Sequence, residues 1–247
     1  MAQLDNRYAQ SGTAARAGAA VDEGLRAYML GVYNYMAAGV ALTGIVAYLT
    51  YTMAVSDGTL TPFGQTLYAS PLKWVVMLAP LGFVLFLSFR VQKMSVGAAQ
   101  ISFWLFAAVM GLSLSSIFLV FTGQSITQVF FITAAAFGGL SLWGYTTKKD
   151  LSGWGSFLIM GVVGIIIAAV VNLFLQSGAL QFAISVIGVL VFAGLTAYDT
   201  QRIKDGYLMV RHDAAMVAKS AIMGALSLYL DFINMFIFLL QLFGNRQ

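Results

Sequence analysis

Seven apolar runs, each long enough to cross a bilayer as a helix, recur along the chain, at roughly 28–52, 73–90, 100–121, 127–146, 155–175, 179–203 and 224–243. A backbone in lipid has no water to bond, so runs of this length are read as helices. The fold class predicted is all-α integral membrane with seven transmembrane helices. Composition agrees, since only 9% of residues are charged, against about 25% in a soluble domain. Residues 1–27 are polar and rich in Ala and Gly, without the apolar core of a signal peptide. They are read as a flexible polar cytoplasmic tail, and 28–247 as the seven-helix domain.

The charges lie mostly between the runs and set an orientation. Arg7, Arg16 and Arg26 precede the first run. Arg90 and Lys93 follow the second, Lys148 and Lys149 the fourth, and Arg202, Lys204, Arg211 and Lys219 flank the turn between the sixth and seventh. Only Lys73 and Arg246 fall on the opposite side. The N-terminus is therefore expected in the cytoplasm and the C-terminus outside. The net charge of +4 is accounted for by topology, and a nucleic-acid partner is not expected. The bilayer is.

The last run, Gly224 to Phe243, is unlike the others. On a helix, Gly224, Ser227, Asp231, Asn234 and Gln241 form one narrow polar stripe, interrupted only by Phe238. Polar and ionisable groups facing lipid are costly, so the stripe must face protein or water. A structural hydrogen bond that fixes helix packing is one reading of Asp231. A role in ion or proton handling is the other.

Asp199, near the end of the sixth run, shares a face with Ser185, Phe192 and Thr196. If Gly224 marks the membrane face, Asp231 lies about 10 Å inside it, at a depth similar to that of Asp199. Two carboxylates meeting in a poorly solvated site cannot easily both stay charged, so they share a proton and titrate together. The plainer reading of Asp199 is an acid at a helix end, paired with Arg202 or Lys204. Arg90 comes from the same membrane face. It either partners the aspartates or snorkels to the interface.

The remaining candidates are weaker. There is no cysteine, and one histidine with nine acids does not suggest a dedicated metal cage. His212 reads as a solvated loop residue. Trp74, Trp143 and Trp154, near span ends, read as interfacial anchors. Ala134, Ala135, Ala136, Gly138 and Gly139 suggest a face for close helix approach, and Pro80 a kink. The connector 204–223 is polar and is expected to become helical before the last span.

Four segments carry a resemblance: FRVQKMS (89–95), GYTTKKDL (144–151), GLTAYDTQRIK (194–204) and LYLDFIN (228–234). Together they resemble the Bax-inhibitor family, also called the transmembrane Bax inhibitor motif family, in its proteobacterial inner-membrane branch. The resemblance covers spans two to seven. It implies six helices arranged around a central C-terminal one. It also implies a pH-sensitive calcium leak of the cytoplasmic membrane, with Asp199 and Asp231 as the sensing pair on the ion path and Arg90 as a latch. Ser227, Asn234 and Thr196 would be supporting polar groups.

Calcium takes six to eight oxygens. Asp199 and Asp231 with neighbouring hydroxyls, carbonyls and water would make a transient site, which suits conduction. No resident cofactor is implied. The competing function is a membrane regulator that transports nothing, for example one acting on a membrane-bound ATP-dependent protease. An enzyme is not expected. Intramembrane aspartyl proteases carry Gly-x-Gly-Asp, whereas Leu228, Tyr229 and Leu230 precede Asp231 here, and no Pro-Ala-Leu occurs.

Overall fold

The computed structural model describes the backbone from Ala2 and the side chains from Asp22 to Gln247. Most of the tail read for 1–27, with Arg7 and Arg16, lies outside the described side chains. Among the described residues, seven helices are long and apolar enough to cross a membrane. They are α1 (Ala2–Ala54, spanning from Asp22), α2 (Leu72–Arg90), α3 (Val96–Leu114), α4 (Gly123–Thr146), α5 (Ser152–Leu175), α6 (Gly178–Val210) and α7 (Ala214–Phe243).

Local chemistry sets the boundaries. Ser95, Thr122, Ser177 and Asp213 cap α3, α4, α6 and α7, each accepting hydrogen bonds from N–H groups of the first turn. Asp57 and Gly58, both at positive φ, turn the short hairpin Val55–Ser56/Thr59–Leu60 after α1. The connector expected at 204–223 is almost wholly helical. α6 continues to Val210 and α7 starts at Ala214, leaving only Arg211 to Asp213 as a turn. Helix α2 runs on through Pro80.

Helix α7 is the core of the bundle. In its most apolar stretch 67% of residues are buried, against 11–33% in the other six spans. It packs on α6, α1, α4 and α3, while α2 packs chiefly on α3 and α5 chiefly on α6. The outer faces of α2 and α5 keep large apolar side chains such as Leu81, Phe89, Met160 and Phe174 exposed, as lipid contact requires. Trp74, Trp143 and Trp154 sit exposed near helix ends. The chain end closes over the opposite end of the bundle from the α6–α7 turn. Thr122 N–H donates to the Asn245 carbonyl and Gln247 N–H to that of Val120, both at 3.0 Å.

The small-residue face needs a correction. Gly138 and Gly139 are exposed, and a Cβ on either would meet nothing within 4 Å. The close approach is made instead by Gly144, where a Cβ would lie 2.3 Å from the Ala197 carbonyl oxygen and 2.9 Å from its Cα. Helix rotation turns Gly144 onto the α6 backbone and the earlier glycines outward.

Candidate functional site between α6 and α7

The polar stripe of α7 faces α6, its antiparallel neighbour. Gly224 accepts the Ile203 side chain, and Phe238 fills the space above Gly188, stacking on Phe192 with ring centroids 5.9 Å apart. Gln241 Oε1 accepts from Gln181 Nε2 at 2.8 Å, with the Ser185 hydroxyl 2.9 Å away. This register brings Asp231 alongside the α6 turn that carries Thr196 and Asp199. The stripe is therefore an internal seam, and Phe238 interrupts it because an aromatic ring fits over a glycine.

Both aspartates are buried. Asp231 Oδ2 has no hydrogen-bond partner among the described residues. Its charged neighbours are the Asp199 carboxylate and the Arg202 guanidinium. Asp199 Oδ1 pairs with Arg202 at 3.6 Å, one turn along the same helix. Burying a carboxylate without a bond is unfavourable. Asp199 repels Asp231, and Arg202 attracts both. A cavity of about 180 Å³ adjoins Arg202, lined by Tyr28, Arg202, Gly206, Gly224 and Ser227 among others and by neither aspartate. Its inner wall includes Ser227, one turn from Asp231. Arg202 itself is largely exposed, so the cavity opens at the α6–α7 turn end.

The other expected residues are placed differently. Of the two readings of Arg90, this state matches the interfacial one: Arg90 is exposed at the end of α2, and the one ion pair among the described residues is Arg202–Asp199, as the plainer reading of Asp199 had it. The reason is geometric: Arg202 shares a helix with Asp199 at i,i+3, where such pairs meet without any rearrangement. Asn234 Nδ2 donates to the Leu230 carbonyl, and Thr196 Oγ1 to that of Phe192. Both satisfy their own helix rather than the aspartates. No group of three or more His, Cys, Asp or Glu side chains gathers among the described residues.

Several polar contacts frame the site that single-residue reading missed. Thr43 gives its proton to the Ala107 carbonyl, so Tyr229 donates to Thr43, at 2.6 Å, and ties α7 to α1 and α3. Thr200 likewise donates to the Thr196 carbonyl. Ser141 must then donate to Thr200 at 2.9 Å, and Tyr33 to Ser141 at 2.7 Å. Gln201 accepts from Leu151 N–H and donates to the Lys149 carbonyl, both at 2.8 Å, holding the α4–α5 connector against α6. In that connector, bonds from Ser152 hold the Asp150 carboxyl below its usual range.

The sequence matches the family described as inhibitor of apoptosis-promoting Bax1 over residues 25–247. A protein of Caulobacter vibrioides is 48% identical over 249 residues, covering all of both chains. The inner membrane protein YbhL of Escherichia coli K12 is 46% identical over 91% of this chain and 94% of its own length. A protein of Borreliella burgdorferi is 39% identical over 89% and 92%. The seven spans, the α6–α7 seam and the match over nearly the whole chain agree, and the protein belongs to the Bax-inhibitor family.

Proposed function

We propose that the protein is a pH-sensitive leak for calcium, or a cation like it, in the bacterial inner membrane, controlled by protonation of the Asp199–Asp231 pair. One observation carries the reading: Asp231 Oδ2 is buried without a partner among the described residues, beside a second buried carboxylate on the most enclosed seam of the bundle. A carboxylate kept at such a cost inside a membrane helix marks an ion or proton path. Transport is preferred to proteolysis because Leu228, Tyr229 and Leu230 stand before Asp231 where an intramembrane aspartyl protease carries Gly-x-Gly. The name of the Escherichia coli relative supports the inner membrane, and the skew of Lys and Arg supports a cytoplasmic N-terminus and a periplasmic C-terminus.

In the closed form an arginine holds Asp199. A proton on the pair removes that attraction, so acidification favours the open form. The same proton competes with calcium for the carboxylates, so flux does not rise without limit. Uptake of calcium by proteoliposomes across a pH series tests the reading, and uptake no faster than in protein-free liposomes at every pH refutes it.

Two subsidiary predictions use the same preparation and whole cells. The latch role of Arg90 belongs to a second state, in which Arg90 replaces Arg202 at Asp199. Arg90→Ala is then expected to leak already at neutral pH, and wild-type flux with a wild-type pH response would reduce Arg90 to an interfacial residue. Reporter fusions should place the two chain ends on opposite sides of the membrane. Both ends on one side would contradict the seven-span orientation.

A further inference from the structure

A cavity larger than the one beside Arg202 lies away from the aspartates. It is a groove of about 420 Å³ between α1 and α4, with Arg26 at one end and Met29, Met36, Phe137 and Gly138 along its walls. We infer that this groove binds the acyl chain of an anionic phospholipid of the surrounding leaflet, with the phosphate at Arg26.

Four observations carry this. First, from Arg26 to Ala37 the groove runs about 17 Å along α1, close to the depth of one leaflet, about half of the hydrocarbon core. Second, its rims are lipid-facing: Leu30 is 51% and Leu142 63% exposed. Third, its only wall hydroxyls away from the mouth, Tyr33 and Ser141, bond to each other and on to Thr200, so an apolar chain would strand no polar group. Fourth, two basic side chains reach the mouth, with Asp22 and Glu23 one turn before Arg26 on α1. Besides Arg26, Lys204 Nζ lies 5.7 Å from the centre of the Tyr145 ring and donates to the Tyr145 carbonyl at 2.9 Å. Basic side chains at an interface attract anionic headgroups.

The test uses the full chain in nanodiscs of mixed phosphatidylglycerol and phosphatidylcholine, released for native mass spectrometry. Wild type should keep a bound phosphatidylglycerol, enriched on the order of fivefold over phosphatidylcholine. Gly138→Leu should lose the bound lipid, because Gly138 lines the groove and a Cβ there meets no atom of another helix within 4 Å. Arg26→Gln should keep a bound lipid but lose the enrichment. Equal retention of lipid by Gly138→Leu and wild type overturns the inference. So does a wild type without headgroup preference, or a dimer lost on Gly138→Leu, which would assign the groove to a second copy of the chain. Should Gly138→Leu fail to fold, Arg26→Gln decides alone, and unchanged enrichment overturns the inference.

Discussion

Asp231→Asn is expected to be more heat-stable than the parent, although it alters the most enclosed helix of the protein. The substitution preserves shape and removes a charge whose Oδ2 is buried without a bond among the described residues. An unsatisfied buried polar group costs about 1–3 kcal/mol, more when charged. Asp199, its nearest acidic neighbour, adds repulsion that Asn does not feel. A gain of roughly 1–2 kcal/mol would raise the melting temperature by about 2–8 °C for a chain of this size. Differential scanning fluorimetry in detergent reads it directly. A fall of similar size would mean that Asp231 makes a structural bond that holds α7 in place. Stability given up at a working residue is a common trade, and a gain here would mark Asp231 as such a residue.

Gly144→Ala should cause the largest loss of stability among single-methyl additions to α4. Its Cβ would fall 2.3 Å from the Ala197 carbonyl oxygen, and that atom belongs to the α6 backbone. Neither helix can yield by rotating a side chain, so α4 must move away from α6. That movement also strains the Ser141–Thr200 bond one turn away. Overpacking costs about 1–3 kcal/mol where side chains can shift, and with backbone on both sides the upper figure applies. The expected drop in melting temperature is about 6–12 °C. Gly138→Ala is the control. It faces open space on the same helix, and alanine favours helix over glycine by about 1 kcal/mol, so its melting temperature should stay or rise slightly. Equal behaviour of the two variants would contradict the helix rotation described here.

The spans were legible because a membrane helix must be apolar over its whole length, whatever it packs against. The α6-facing stripe of α7 was legible for a related reason: Gly224, Ser227, Asp231 and Gln241 repeat at helical spacing within one segment. Asp199–Arg202 could be read in the same way, as an i,i+3 pair. Long-range partners could not. Tyr229 meets Thr43 and Gln201 meets Leu151 across 186 and 50 residues of chain, and each is a lone polar group without a local pattern. Which glycine touches a neighbour was hidden too, since Gly138 and Gly144 differ only in the rotation of α4. Depth alone could not choose between the two readings of Arg90, and in this state Arg202, on the same helix as Asp199, already pairs with it while Arg90 is exposed.

In the proposed mechanism the aspartate pair couples protons to cation passage. Its most direct test is calcium entry into proteoliposomes, followed with an encapsulated indicator from mildly alkaline to mildly acidic buffer, for wild type and Asp231→Asn side by side. Wild-type flux should rise on acidification, and Asp231→Asn flux should not respond to pH. A pH response in Asp231→Asn equal to that of wild type would contradict it.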